Sequence, residues 1–325
     1  MRFVTVTPAG RRQYLEILAN YLLRRRDVIA EHRWWLNTRV PADVAYIYRL
    51  ADRYPDFFKV VAKPVGPIDR IGYTIWNYMC DCTESDTVYL RLDDDIVYMT
   101  DDAITHMRDA RLANPEPFLI LGNIVNNAVC SHFHQQAGLL PTSWGAVGND
   151  CMDPLGWKSG AFARRVHRRF LKDIAAGRET WWRKAAMPID GQARFSINAI
   201  CWRGEDFRGI PEIDSREADE EPFLTAVLPA RLGRPNVVCT PALFGHYAFF
   251  TQRKYLEQTS PEILARYRHI AEQAAGGGYT LPIWEHSVLS ARRAWGVSTW
   301  AAEQSVIKAQ DLLRGGKDRL RRRAA

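Results

Sequence analysis

An open α/β sheet with right-handed crossovers is the fold that this 325-residue chain predicts, and two observations predict it. Strand-like and helix-like segments alternate from the first residues at about thirty residues per unit, the pattern of crossover connections. An apolar strand then runs into three consecutive aspartates in "YLRLDDDIVYM", and sheets of this kind bind ligands beyond the carboxyl ends of their strands.

Residues 2–7, "RFVTVT", alternate as a strand that Pro8 and Gly10 interrupt. Tyr14, Leu15, Leu18, Tyr21 and Leu22 recur at helical spacing and predict a helix over about 11–25. "HRWWLNT" reads as a second strand, "PADVAYIYRLADRY" as a second helix and "DFFKVVAKP" as a third strand. Val88, Leu90 and Leu92 alternate with Tyr89 and Arg91, and Ile96, Val97 and Tyr98 continue the apolar run beyond Asp93, Asp94 and Asp95. The strand ends "TPAGRR", "NTRVP" and "DDD" are therefore expected to line one crevice. Thr100 reads as a helix N-cap, with Asp101 and Asp102 in the first turn, where negative charge suits the dipole. From 118 to 190 the pattern loosens into Gly, Pro, Asn and aromatic residues, a candidate binding wall or lid. A strand returns at "RFSINAICW", a helix at "EEPFLTAVLPARL" with Pro222 in its first turn, and a strand and loop at "NVVCTPALFGHYAFF". The last 70 residues read as helical and end in a basic tail, "KAQDLLRGGKDRLRRRAA".

Composition narrows the class. At 47% hydrophobic residues the chain can bury a sizeable core, and no apolar run approaches the roughly 18 residues of a spanning helix. "MRFVTVTPAGRR" reads as the beginning of the fold, with no apolar targeting segment. Six scattered cysteines without a repeated CxxC spacing predict free thiols in a reducing cytoplasm. A net charge of +7 and a pI near 9.1 favour anionic partners: nucleotide phosphates, anionic lipid or nucleic acid.

Buried carboxylates need counter-charge, and a divalent cation is the candidate at the triplet. Asp93 and Asp95, one residue apart at a strand end, can turn to one side and share it. Asp94 then faces away or toward a sugar hydroxyl. An ion held by one or two carboxylates keeps open positions for substrate phosphates. The alternative is a turn or capping cluster.

"YLRLDDDIVYM" resembles the DxD segment of GT-A-fold glycosyltransferases, in which the motif holds manganese or magnesium against the diphosphate of a nucleotide sugar. "DEEPFLTAVLPARLGRPNVVCTPALFGHY", 219–247, is similar to the stretch of inverting, family-2-like members that pairs an acidic motif at a helix start with a strand and a terminal histidine. The resemblance covers roughly residues 1–250. It implies Asp93, Asp95 and His246 as metal ligands, and Glu220 and Glu221 on the acidic pair that supplies the catalytic base. The usual Asp is Glu221 here, with Asp219 just ahead, so all three acids are candidates. The implied fold is a GT-A-like open, mixed, mostly parallel sheet flanked by helices. Residues 1–115 would form the Rossmann-like nucleotide-sugar-binding half, 116–250 the acceptor-binding and catalytic half, and 251–325 a C-terminal helical extension.

For the donor, Thr7, Pro8, Arg11, Asn37, Asp69, Arg70, Asp93 and Asp94 are the candidate nucleotide-sugar ligands, although Arg11 also suits a solvated helix face. A UDP-sugar comes first, with GDP- or dTDP-sugars as alternatives. Trp157, Trp202, Glu205 and Asp206 are candidates for the acceptor, a glycan or lipid-linked hydroxyl; aromatic faces stack on sugars, yet a core Trp is the commoner outcome. Glu205 and Asp206 also rival the later acids as base. His132 and His134 read as structural. The basic tail fits either an anionic membrane surface, which would put the enzyme at the inner membrane face, or a solvated helix.

Two other functions compete. A sugar-phosphate nucleotidyltransferase would share the sheet and the acidic site, but "TPAGRRQ" has one Gly and no Lys to cradle a triphosphate. A non-enzymatic nucleic-acid-binding protein would suit the pI; the basic residues are spread along the chain, no recognised module appears, and nucleic acid is not the expected partner.

Overall fold

The computed structural model describes residues 1–63, 71–210, 219–273 and 305. Asp69 and Arg70 lie outside the described residues, as does the basic tail.

The first half alternates as its sequence pattern predicts, with one helix, α3, that the pattern did not mark: β1 (Arg2–Ala9), α1 (Arg12–Arg24), β2 (Glu31–Leu36), α2 (Pro41–Arg53), β3 (Phe58–Val61), α3 (Ile71–Met79) and β4 (Thr87–Leu92). β1 pairs in parallel with both β2 and β4, and β2 in parallel with β3. β1 and β4 are buried almost throughout, as parallel strands covered on both faces are. α1 buries Tyr14, Leu15, Leu18, Tyr21 and Leu22, the face that its spacing predicts. β1 does not stop at Pro8 but runs on to Ala9, which pairs with Leu36. Beyond Val6 it pairs only with β2, so Pro8 sits where one edge of the strand is free of ladder bonds.

The second half adds β5 (Ile96–Met99), α4 (Ala103–Ala113), β6 (Ile120–Val125), α5 (Ala128–Gln136), α6 (Gly160–Ala175), β7 (Ala199–Arg203), the short α7 (Glu220–Pro222) and α8 (Leu228–Leu232), β8 (Val237–His246), α9 (Phe250–Thr259) and α10 (Pro261–Gln273). The strands form one eight-stranded sheet in the order β3-β2-β1-β4-β7-β6-β8-β5. Four of its seven pairs are parallel; β4–β7, β6–β7 and β5–β8 are antiparallel. The fold is thus α/β, a mixed sheet flanked by helices. α4 lies across β6, β7 and β8, while α1 and α10 pack against β5.

Two segments differ from expectation. The region from 118 to 190 contains β6, α5 and α6 in place of a continuous irregular wall. β6, "ILGNIV", is buried at every position, so it shows no polar alternation, and Gly122 and Asn123 conceal it further. α4 begins at Ala103, so Thr100, Asp101 and Asp102 precede it. Asp102 occupies the N-cap position without a capping hydrogen bond and instead accepts from Arg183 Nη1 at 2.7 Å.

The aspartate triplet links β4 in the middle of the sheet to β5 at its edge. Leu92 and Ile96 are four residues apart, a reach of at most about 14 Å. Four strand spacings in a flat sheet would separate β4 from β5 by about 19 Å. The sheet therefore curls, returning β5 toward β4 and placing the triplet across the mouth of the curl. None of the six cysteines is in a disulfide. Among the described residues no helix is long and apolar enough to cross a membrane.

Candidate active site around the aspartate triplet

Each aspartate of the triplet is held by a different part of the chain. Asp93 is tied to the strand entering β7: its N–H donates to the Asn198 carbonyl at 2.9 Å, and its Oδ2 accepts from Asn198 Nδ2 at 3.1 Å. Its other oxygen faces Arg91 Nη2 at 3.3 Å. Asp94 accepts from Arg11 through Nε at 2.9 Å and also through Nη2, a two-point guanidinium contact from the start of α1. Asp95 Oδ2 faces Arg11 Nη2 at 3.1 Å and Arg253 Nη2 at 3.2 Å, while its Oδ1 stands 3.5 Å from His246 Nε2. The Tyr247 N–H donates to the Asp95 carbonyl, and Ile96 pairs with His246 across β5 and β8. The curl of the sheet is thus what brings residue 95 to residue 246.

His246 is oriented from behind. Its Nδ1 lies 3.0 Å from the Asn126 carbonyl, which can only accept, so Nδ1 carries a proton and Nε2 points at Asp95. Asn126 has φ of 65°, the left-handed region, and is the only non-glycine with positive φ among the described residues. Its own amide donates to the Tyr247 carbonyl and to Gln252 Oε1, at 2.9 and 3.1 Å, which holds this uncommon backbone in place.

The acids at 219–221 occupy three different environments. Asp219 is exposed, caps α7 by accepting from the Glu221 N–H, and faces Arg194 at 3.1 Å. Glu221 accepts from Arg194 Nε at 2.7 Å, and burial raises its carboxyl against that pull. Glu220 is 6% exposed and pairs with the buried Arg91, which also faces Asp93. Burial pushes Glu220 up to about 7 despite Arg91, and Asp93 adds to the rise. Asp95 behaves oppositely. Burial pushes its carboxyl up, but Arg11, His246 and Arg253 outweigh burial and hold it below the usual carboxylate range. Burial lowers His246 and Asp95 raises it, with a net rise.

The cations expected at the buried triplet are therefore protein side chains in the first instance. Asp93, Asp94, Asp95 and Glu220 meet Arg11, Arg91, Arg253 and His246. Among the described residues no group of three His, Cys, Asp or Glu side chains is placed to hold a metal by itself. Asp95 and His246 are the pair that could supply two donors. The 3.5 Å between Asp95 Oδ1 and His246 Nε2 is long for a hydrogen bond. Two donors sharing one ion through bonds of about 2.1 Å stand about 3.0–3.4 Å apart. A carboxylate oxygen and an imidazole whose far nitrogen donates to a carbonyl form a donor set that fits a divalent cation, with substrate oxygens completing the shell.

Around this centre, the Asn37 N–H donates to the Ala9 carbonyl, and its amide oxygen is buried without a partner among the described residues. A Cβ on Gly10 would lie 3.4 Å from the Asn37 carbonyl and 3.5 Å from Asp94 Oδ2, so the ends of β1, β2 and β4 do meet. A cleft of about 510 Å³ beside them is lined by Arg11, Arg12, Gln13, Glu16 and Asp43. Thr7 and Pro8 lie within β1 and are buried; Thr7 Oγ1 has no hydrogen-bond partner among the described residues. Trp157 packs on Phe249, whose ring lies 4.7 Å from that of His246.

Trp202, Glu205 and Asp206 are not brought to the triplet. β7 runs antiparallel to β4, with Arg203 opposite Val88, so residues past Arg203 stand at the amino end of β4, on the order of 15 Å from its carboxyl end. Trp202 is fully buried and stacks on Tyr89, Asp206 accepts from Arg234 at 2.7 Å, and Glu205 faces Arg203. His132 and His134 hydrogen-bond to the Val147 carbonyl and to Asn123 Oδ1, within the fold.

Sequence reasoning missed Arg91, Asn126, Asn198 and Arg253. Arg91 had a signal, a charge inside an apolar strand, and Asn126 had another, an Asn pair directly after a strand, because Asn tolerates the left-handed region. Arg253 had none, being 158 residues from Asp95.

No family model and no curated protein matches the chain. Among solved structures it is similar to CMP:2-keto-3-deoxy-manno-octonic acid synthetase complexed with CTP, with 11% identity, 84% of this chain and 100% of that chain covered, and a TM-score of 0.43. It is also similar to glucosyl-3-phosphoglycerate synthase from Mycobacterium tuberculosis in complex with Mn2+, UDP-glucose and phosphoglyceric acid, with 12% identity, coverage of 82% and 79%, and a TM-score of 0.42. A match to a 4-diphosphocytidyl-2C-methyl-D-erythritol synthase spans 37% of this chain and 59% of that chain, with 11% identity and a TM-score of 0.28. Likenesses at these scores carry no weight by themselves, and the functional reading rests on the site.

Proposed function

We propose that the chain is a GT-A-like transferase that moves a sugar from a nucleoside diphosphate sugar to the hydroxyl of a glycan or lipid-linked acceptor, with inversion and with manganese or magnesium. One observation supports this above the others: Asp95, His246, Arg11 and Arg253 converge at the carboxyl ends of β1 and β4, where a buried carboxylate, an imidazole and two guanidiniums can receive a cation and a diphosphate together. Asp95 and His246 would hold the cation, which when bound supplies charge stabilisation to the departing diphosphate. Arg11, Asn37, Thr7 and Pro8, with Asp69 and Arg70, would receive the nucleotide. Glu220, buried with its carboxyl raised to about 7, suits a base that takes the proton of the attacking hydroxyl near neutral pH. Glu221 and Asp219 are spent on Arg194 and on the cap of α7. Trp157, beside Phe249, would offer a sugar-stacking face to the acceptor.

The test is a thermal-shift series with UDP, GDP, dTDP and CMP, with and without manganese, on the wild type, Asp95→Ala and His246→Ala. One nucleoside diphosphate with manganese is expected to raise the wild-type midpoint by several degrees, as about 2.7 kcal/mol at a hundredfold excess over Kd requires, and to leave both variants unmoved. A wild type that responds to none of them sinks the reading. The arginine-bearing turn Gly10-Arg11-Arg12, opening α1 beside the cleft, favours a second reading as a sugar-phosphate nucleotidyltransferase. Pyrophosphate release from a nucleoside triphosphate and a sugar acceptor would support that one.

A further inference from the structure

The two arginines on Asp95 Oδ2 are not equivalent. Arg11 is anchored by Nε and Nη2 on Asp94 in addition to its contact with Asp95. Arg253, on the first turn of α9, reaches the site through Nη2 alone, shared between Asp95 Oδ2 at 3.2 Å and the Ala248 carbonyl at 3.2 Å. Its Nε is buried and has no hydrogen-bond partner among the described residues. A guanidinium carries five N–H donors in a planar fork suited to phosphate oxygens, so most of this fork is unused where it stands. Asp95, meanwhile, carries one negative charge. A divalent cation entering between Asp95 and His246 would meet a guanidinium already on the same carboxylate, and the two like charges compete for it.

We propose that Arg253 is the counter-cation of Asp95 in the metal-free protein and a diphosphate ligand once metal is bound. When a divalent cation takes Asp95, the guanidinium turns from the carboxylate to the diphosphate oxygens that the cation brings with it. The consequence is coupling: metal alone binds against Arg253, metal with diphosphate binds with its help, and by linkage each tightens the other by the same factor. This inference rests on the donor-site reading above.

The test is calorimetric titration of manganese alone, of UDP, GDP and dTDP alone, and of each at saturation of the other, on the wild type, Arg253→Ala and Arg253→Lys. In the wild type, manganese and the preferred diphosphate are expected to tighten each other by about tenfold or more. Arg253→Ala should bind manganese alone about three- to tenfold tighter, bind the diphosphate at saturating manganese about tenfold weaker, and lose most of the coupling. Arg253→Lys, with its charge but not its fork, should fall between. Opposite-signed effects of this kind do not arise from a merely structural role, which would weaken both. Weaker manganese binding by Arg253→Ala, or unchanged coupling, overturns the inference and leaves the donor-site reading standing; a wild type that binds no diphosphate with manganese overturns both. Should Arg253→Ala not fold, Arg253→Gln is measured in its place by the same criteria.

Discussion

Glu220 and Asp95 are both acidic, both buried and both beside arginine, yet their surroundings give them opposite behaviour. Glu220 has one guanidinium, Arg91, and shares it with Asp93; Asp95 has Arg11, Arg253 and His246. Desolvation wins in the first case and counter-charge in the second. If Glu220 is the base, it must be ionised to act. The expected kcat/KM then rises about tenfold per pH unit up to about pH 7 and levels above it. Glu220→Gln should cost about 10²–10⁴-fold in kcat, and Glu221→Gln less than about tenfold. A steady-state comparison of the two variants checks this, and the reverse ranking moves the base to Glu221.

At the level of elements, β6 and the helical stretch from α7 to α8 show how local chemistry yields to packing. A Cβ on Gly122 would stand 2.8 Å from Phe244 Cδ2 and 3.1 Å from the Ala199 Cβ, so glycine here lets the neighbouring strands β7 and β8 pack across β6. Gly122→Ala is expected to destabilise by about 1–3 kcal/mol, read as a fall in the urea midpoint without a change in slope. Pro229, inside the helical stretch, has no N–H for the Thr225 carbonyl four residues back. Asn236 Nδ2 takes that carbonyl at 3.0 Å, which lets the stretch continue past a residue that normally ends it. The proline positions are visible in the sequence; the compensating asparagine becomes evident only once β8 is in place.

Across the whole molecule, the curl of the sheet makes one ion pair out of residues 95 and 246, and that pair fixes a pH window. Asp95 is held below the usual carboxylate value, so its stabilisation is present above about pH 4 and lost as pH falls through the folded value. His246 is raised above about 6.5, so its stabilisation is complete below that value and lost as pH rises through the folded one. In metal-free buffer, the stability difference between wild type and His246→Asn should be largest between about pH 4 and 6.5, at about 1–3 kcal/mol because Arg11 and Arg253 stay on Asp95, and shrink on both sides. Urea titrations across pH 3–9 (about six units) measure it; a difference that grows toward alkaline pH contradicts the pairing.

Period and punctuation in the sequence were enough to place β1 to β4 with α1 and α2, because apolar spacing and Pro/Gly breaks mark those segments locally; sequence reasoning missed α3. Charge inside an apolar run, which is costly and therefore conspicuous, singled out the triplet; the acids at 219–221 and His246 came only from the resemblance of 219–247 to a known acidic-motif stretch. What only the tertiary structure decided is which charges meet. The reach of three residues between β4 and β5 forces the curl that joins Asp95 to His246. The antiparallel course of β7 carries Glu205 and Asp206 to the far end of the sheet. Arg253 reaches Asp95 from a helix whose own sequence gives no sign of it. Pattern is a local property of the chain, whereas electrostatic pairing depends on distances that exist only after the strands have been ordered.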